Sequence, residues 1–469
     1  MWGNMGVFKA CDIRGAYGQD LTDDIVYRIG RALGTLAGGK VVILSGDVRP
    51  STRTLKSALT RGLVESGAEI LDIGTVPTPA FYFARHYLKT DVGAMITASH
   101  NPPEFNGLKL TLGPLPITEE ELDLVRRLAE SGHFSHGAGS LLTMDIIPAY
   151  ESFIESAAPR AAEAASFKTV VDCGNGCYSE LAPAVFRSFG YRTEELFCTP
   201  DGTFPNRSPN SAVAENLAAL CRKVRDTGAQ LGVAFDGDGD RVAFVDNRGR
   251  FLTSDKAIVI LARHILNSYP GAAVVYDLKC SSVVPEAVAE AGGIPIPERS
   301  GHTFIKTRMI TEDAVFGGEV SGHYFYRELR GGDDGLYSAL LMAHILATTG
   351  SRLSDLADSI AEYATTPDIR LAFRGDREQI IARIAGHFPD SDVSRLDGVR
   401  VSFPGGWGLA RMSVTEPVIT LRFEAEDGRR LLEIVDIFLE PVPELRESVV
   451  LAVPHSASTE SSEDDAQGY

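Results

Sequence analysis

Short β-branched runs alternate with amphipathic stretches along most of this chain, and that rhythm limits what it can fold into more than any other feature. Residues 41–44 (VVIL) predict a buried strand that ends at Gly46-Asp47. Residues 51–67 predict a helix, with Ser51 as N-cap and Gly67 as stop. AEILDIG predicts the next strand. FKTVVDC at 167–173, a helix near 179–189, LGVAF at 231–235 and AAVVYDL at 272–278 continue the scheme. Strand–helix–strand alternation builds α/β layers with largely parallel pairing. After about residue 367 the rhythm changes to one helix near 376–387, strands VRVSF and VITLRFE, and a helix near 428–439. That is an α+β pattern with hairpins. The 469 residues suggest about three domains at roughly 150 residues each. Boundaries are expected near 144, 248 and 367. The first three segments share a rhythm, so a triplicated unit is open, although no clean residue-level repeat is visible.

Composition excludes several classes. With 44% hydrophobic and 23% charged residues the chain is an ordinary globular one. Its 45 basic and 63 acidic residues give a net charge of −18, which argues against nonspecific nucleic-acid binding. No apolar run reads as a signal core or a membrane span. The six cysteines are scattered; Cys173 and Cys177 lack a second pair to complete a zinc site. Reduced thiols and a cytoplasmic location are expected. The Ser- and acid-rich end, 454–469, is expected to be a disordered tail.

Four loops carry the chemistry. Asp236-Gly237-Asp238-Gly239-Asp240-Arg241 lies between two apolar runs. Three carboxylates at alternating positions can converge on one divalent cation, and the glycines let the backbone turn tightly. An EF-hand fails here, because its sixth position is Arg241 and its twelfth is Asn247. Without a cation, three packed acids repel, which weighs against a plain polar turn. Thr97-Ala98-Ser99-His100-Asn101-Pro102 follows an apolar run, so Ser99 is expected on a loop at a strand end. Alone, it reads more often as a capping or turn serine. Gly318-Glu319-Val320-Ser321-Gly322-His323 is the third loop. Arg411-Met412-Ser413-Val414-Thr415-Glu416-Pro417 is the fourth. A guanidinium and two hydroxyls in one short loop suit phosphate, or an ordinary hairpin turn.

In this order and spacing, the four loops resemble those of the α-D-phosphohexomutases, nearest to the bacterial phosphomannomutase/phosphoglucomutase branch. The resemblance spans about residues 8–440. It includes FKACDIRG with Arg14, the run Phe105 to Lys109, the segment Asp277 to Ser281, and Gly301-His302-Thr303. It implies three similar α/β domains with mixed sheets, then a distinct α+β domain, around a central cleft. These are a phosphoserine-loop domain (1–143), a metal-binding domain (144–248), a sugar-binding domain (249–366) and a phosphate-binding domain (367–453). Three positions depart from the branch. Cys11 stands where Tyr is common, Val414 where Asn is common, and PNRSPNSAVAEN lacks a His-rich form.

The resemblance also implies a mechanism. Ser99 carries a phosphoryl group, and Ser99 with Asp236, Asp238 and Asp240 holds Mg²⁺. Arg14, Lys109 and Arg241 supply cations. His100 orients the serine loop, and His302 and Lys109 are candidates for acid–base work. Arg14, Lys279, Gly301, His302, Glu319, Ser321 and His323 would bind substrate. Arg411, Ser413, Val414 and Thr415 would bind the phosphate that is not reacting. The substrate is a hexose phosphate, with glucose 1,6-bisphosphate or mannose 1,6-bisphosphate as intermediate. The sugar must turn over between two transfers. Glu319 and Ser321 would read the 3- and 4-hydroxyls, which glucose and mannose share. Dual specificity follows, with the last domain closing on the sugar. A monomer or dimer is expected. The rivals are a phosphoglucosamine mutase, whose sugar loop more often has Gln at the position of Val320, a metal-dependent sugar phosphatase, and an inactive sugar-phosphate-binding protein.

Overall fold

A computed structural model describes residues 6–373, 375–412 and 418–450. The expected tail, and Ser413, Val414 and Thr415, lie outside the described residues. The chain divides into two units. One holds the residues up to Asp277 together with Glu286–Ile360. The other holds Leu278–Pro285 and the described residues from Ala361 onward.

The first unit answers the question of a repeat. Three mixed sheets follow one plan, in which three parallel strands separated by helices are followed by a hairpin to an antiparallel fourth. In the first sheet these strands are Val42–Gly46, Glu69–Thr75, Val92–Ile96 and Phe105–Thr111. In the second they are Lys168–Asp172, Arg192–Leu196, Leu231–Phe235 and Val242–Asp246. In the third they are Ala273–Asp277, Ile294–Glu298, Phe316–Gly318 and Tyr324–Tyr326. In space each set runs fourth, third, first, second. The chain order reverses between the first and third strands, and ligands bind beside such a switch at the carboxyl ends of the strands. Edge strands differ between the sheets. Ile13–Ala16 and Ser140–Thr143 flank the first, Phe251–Leu252 the second and Gly332–Asp333 the third. The boundary expected near 248 falls just before the Phe251–Leu252 strand. The central strands are buried on both faces, which is why VVIL and LGVAF are apolar throughout rather than alternating.

Ser51 takes the expected N-cap position of helix Thr52–Glu65, where its carbonyl accepts from the Leu55 N–H at 3.1 Å, but its side chain makes no cap bond. Its hydroxyl accepts from the Asn106 amide at 2.8 Å instead. Asn106 is fully buried, and an unsatisfied amide there costs more than a lost cap. Gly67 comes two residues after the helix with φ +85.

In the second unit, strands Val393–Ser394, Val399–Phe403, Gly406–Met412, Val418–Ala425 and Ala364–Thr365 form an antiparallel sheet, and Ile369–Ala372 also pairs with Val418–Ala425. Helices Arg377–His387 and Gly428–Leu439 bury Ile380, Ile384, Ile434 and Phe438 against Val399, Leu421 and Phe423. Among the described residues, no helix is long and apolar enough to cross a membrane.

Helices Asp23–Ala37 and Thr52–Glu65 meet through glycines. A Cβ on Gly62 would lie 2.2 Å from the Tyr27 carbonyl oxygen and 2.9 Å from the Arg31 nitrogen. Helix propensity alone favours Gly62→Ala by about 1 kcal/mol, while overpacking against backbone costs about 1–3 kcal/mol. The substitution is therefore expected to destabilise this helix pair, seen as faster amide exchange across residues 23–37 and 52–65.

Candidate active site

The three sheets each offer the hairpin loop between their third and fourth strands. These loops hold Ser99, the Asp236–Arg241 run and the Glu319–His323 run, and all lie in the first unit. The Asp236 carboxylate accepts from the Ser99 hydroxyl at 2.8 Å, across 137 residues of sequence. Arg241 and His323 form a backbone bridge, and the Val242 N–H donates to the Gly322 carbonyl at 3.1 Å.

Ser99 is almost completely buried and has φ +49, a left-handed conformation that costs a non-glycine residue energy. Its neighbours hold it there. The Ser99 N–H donates to Thr97 Oγ1 at 2.9 Å. Arg49 donates to the carbonyls of Ser99 (2.7 Å), Asn101 (2.6 Å), Pro102 (2.6 Å) and Phe105 (3.0 Å). Its guanidinium also pairs with Asp47 at 3.0 Å. Burial lowers the Arg49 pKa, and Asp47 opposes that effect. The backbone of the acidic loop completes the support, because a Cβ on Gly237 would lie 2.5 Å from the Ser99 carbonyl oxygen. His100 Nδ1 lies 3.3 Å from Ser99 Oγ. Burial, then Arg241 and Arg14, push the His100 pKa well down. Arg14 donates to Asn101 Oδ1 at 2.8 Å and pairs with Asp12.

The three acids converge as their spacing implied. Asp236, Asp238 and Asp240 are buried, with one carboxylate oxygen of each within 4.8 Å of the others. Lys109 pairs with Oδ2 of both Asp238 (3.1 Å) and Asp240. Thr78 donates to Asp238 at 2.6 Å. Oδ1 of Asp238 and Oδ1 of Asp240 remain buried with no hydrogen-bond partner. Such oxygens are costly unless something positive meets them, and an all-oxygen set fits a hard divalent cation. Electrostatics show the same strain. Burial, then Asp238 and Asp240, push the Asp236 pKa up to about 8. Burial also works to raise Asp240, but Lys109 and His323 bring it down to about 2. Burial alone would lower Lys109; the two carboxylates hold it well above its ordinary value.

The third loop adds a relay. Arg241 Nε donates to His323 Nε2 at 2.9 Å, which leaves His323 Nδ1 facing Asp333 at 2.8 Å. Burial would lower the His323 pKa, yet Asp240 and Asp333 raise it overall. His302 stacks on His323 at 5.9 Å between ring centroids. Burial, then Lys109, lower its pKa to about 4. Glu319 is buried, and Ser321 Oγ has no hydrogen-bond partner. Gly301 has φ +134 and caps helix His302–Thr311. Cys11 accepts from Thr303 Oγ1 at 3.0 Å beside it.

Other expected residues lie in the second unit. Lys279 pairs with Asp368 at 3.4 Å, and Arg411 pairs with Asp397 at 3.1 Å. Sequence reasoning missed Arg49, Thr78 and Asp333. Only the Asp47-Val48-Arg49 run directly after a buried strand hinted at the first; nothing in the pattern marks the other two.

Four consecutive segments match the domains described for phosphoglucomutase/phosphomannomutase: alpha/beta/alpha domains I (residues 5–136), II (149–249) and III (253–363), and the C-terminal domain (369–440). The chain belongs to this family. It is 37% identical over 439 residues to a phosphomannomutase/phosphoglucomutase of Pseudomonas aeruginosa, covering 92% of this chain and 94% of that one. It is 36% identical to a phosphoglucomutase of Neisseria gonorrhoeae, covering 90% and 93%. A solved phosphoglucomutase/phosphomannomutase family structure from Burkholderia thailandensis superposes with a TM-score of 0.87 at 34% identity, covering 96% and 99%.

Two outcomes follow from this geometry in the family's first unit. Arg49→Lys keeps the charge but loses the fork, so it is expected to loosen the serine loop, read as faster amide exchange over residues 97–106. The second concerns pH. Asp236 has a folded pKa of about 8, against about 3.9 unfolded. Its contribution to stability is therefore present at low pH and lost as pH rises through 8. Cation-free protein should lose thermal stability between pH 6 and 8.5. A divalent cation should stabilise the fold, with a larger gain at pH 8.5 than at pH 6, and Asp238→Asn should remove the gain in a thermal-shift assay.

Proposed function

We propose that the chain is a phosphomannomutase/phosphoglucomutase that moves a phosphoryl group between C1 and C6 of a hexose phosphate. The observation that carries this reading is the Ser99 hydroxyl held 2.8 Å from Asp236, where three hairpin loops meet. A binding protein has less need of a buried, strained serine aimed at an acidic cluster, and the mutase relatives weigh against a phosphatase. In this reading Ser99 receives and returns the phosphoryl group, and a 1,6-bisphosphate of glucose or mannose passes between the two transfers. Asp236, Asp238 and Asp240 hold Mg²⁺ together with Ser99. The cation, when bound, supplies charge neutralisation for the phosphoryl oxygens.

The side chains divide the remaining work. Phosphoryl transfer depends mostly on alignment and charge. Lys109 is tied to two carboxylates and held protonated, so it serves as a fixed counter-charge rather than as a proton carrier. This reading favours the first of its two expected roles, as a cation, over acid–base work. His302, with a pKa near 4, is neutral at neutral pH and can accept a proton from the sugar hydroxyl. Arg14 and Arg241 bring cationic donors, and His100 orients Ser99. Glu319 and Ser321 hold the 3- and 4-hydroxyls, with His323 and Gly301 beside them. Ser321 Oγ has no protein partner and is open to one from the sugar. Lys279 and Arg411, with Ser413, Val414 and Thr415, are assigned to the sugar phosphate from their motifs. The six thiols and the acidic charge suit a cytoplasmic enzyme.

A coupled assay with glucose, mannose and glucosamine 1-phosphates, Mg²⁺ and trace bisphosphate tests this. Both glucose and mannose substrates should be isomerised, and Ser99→Ala should lose essentially all turnover. Activity confined to glucosamine 1-phosphate would favour the phosphoglucosamine reading. Release of inorganic phosphate without isomer formation would identify a phosphatase.

A further inference from the structure

The second sheet carries a thiol pair that the mutase reading does not use. Cys173 directly follows strand Lys168–Asp172, and Cys198 follows the neighbouring parallel strand Arg192–Leu196 by one residue. Their Sγ atoms lie 3.4 Å apart as free thiols. Cys173 is buried, and Cys198 is half-buried. The two sulfurs are already in van der Waals contact, so closing a bond of about 2.05 Å needs a local shift rather than a refolding.

The place of the pair matters. Cys173 opens the loop Cys173-Gly174-Asn175-Gly176-Cys177. The Cys177 N–H donates to the Gly237 carbonyl at 3.0 Å, inside the acidic loop. A Cβ on Gly176 would lie 2.7 Å from that same carbonyl oxygen, so the two loops touch without slack. The Asn175 N–H donates to the Phe197 carbonyl at 2.8 Å, directly before Cys198. Movement at the sulfurs therefore reaches the backbone that presents Asp236 and Asp238.

The geometry points to Cys198 as a thiol-oxidation site for peroxides, with Cys173 as its resolving partner and the Asp236–Asp240 loop as the element that responds. In the first step the Cys198 thiolate attacks one peroxide oxygen. The O–O bond breaks, the sulfur is oxidised by two electrons, and hydroxide leaves as water. In the second step Cys173 gives up its proton and attacks the Cys198 sulfenic sulfur. The S–O bond breaks, water leaves, and the disulfide forms. The sum is two thiols plus hydrogen peroxide giving one disulfide plus two waters, and a dithiol reductant reverses it. The local field favours Cys198 as the thiol attacked first: the hydrogen bond with Cys173 lowers its pKa, whereas burial raises Cys11 and Cys177 and leaves them less reactive. Burial also holds the Cys173 pKa well up, so it is contact with the Cys198 sulfur, not a preformed thiolate, that fits it to the second step.

The test uses the full chain. Protein is exposed to hydrogen peroxide, remaining thiols are alkylated, and peptides are mapped by mass spectrometry without reduction. A Cys173–Cys198 linked peptide should accumulate before the other four cysteines change, and dithiothreitol should restore both thiols. Mg²⁺ thermal-shift titrations before and after oxidation form the second arm. Oxidation should raise the midpoint concentration by about tenfold, as loss of support for a ligand loop does. Cys198→Ser should abolish both effects, and reversal by dithiothreitol in the unmutated protein serves if that variant folds poorly. Cys173 remaining free while Cys198 is oxidised further, or a disulfide elsewhere, would overturn the site. A linked peptide with an unchanged Mg²⁺ midpoint would overturn the coupling. The peptide map does not rest on the proposed mutase activity, so failure of that reading is separable.

Discussion

Three carboxylates and one ammonium share a space from which water is largely excluded, and the rest of this active site is arranged around that imbalance. Lys109 offsets one charge of the three and satisfies Oδ2 of Asp238 and Asp240. Their Oδ1 atoms have no hydrogen-bond partner, with only His323 Nδ1 at 3.8 Å from that of Asp240, and Asp236 is pushed toward its neutral form. A buried group left in that condition is normally removed by selection for stability unless it has a task. Arg241, from the same loop, and the His323–Asp333 pair, from the third sheet, then border the cluster and set its field. Each element is tolerable only because the others are present, which makes the cluster cooperative rather than a sum of pairs.

The architecture that permits this is one hairpin used three times. Each sheet runs its third strand outward and returns at once as an antiparallel fourth. The connecting loops are therefore short, held at both ends, and delivered to the same side of the switch point. The first presents a serine, the second acids, the third a glutamate, a serine and a histidine. A loop fixed at both ends can hold a costly conformation, as the left-handed Ser99 shows. Arg49 is the clearest case of the scaffold's share. It is buried, and it satisfies four carbonyls of the serine loop at once.

Much of this was legible from residue order. Strands such as VVIL and LGVAF are apolar throughout because parallel strands are covered on both faces, so their positions showed directly. The acidic loop was legible because its three aspartates are local; alternation with glycine brings them together without help from the rest of the chain. Ser51 sits at the N-cap as the local pattern implied, but its hydroxyl serves buried Asn106 instead of the helix, a tertiary demand that no local rule shows. The triplication showed in the sequence only as a shared rhythm and through the family resemblance, because it resides in strand order and pairing, which apolar sequences of many kinds can satisfy. Lys109 was expected as a cation or a proton carrier, and its two carboxylate partners, more than 120 residues away, showed only in the structure.

By itself, the sequence determined the elements, the change from α/β to α+β architecture, and which loops are the candidates for phosphate and cation. Those properties depend on short-range patterns of polarity and spacing. Only the tertiary structure decided which of these groups touch, which oxygens stay unpartnered, and which way each proton equilibrium shifts. Coulombic and desolvation effects depend on distance and burial, and residues such as Ser99 and Asp236 acquire both only when separate sheets are brought together.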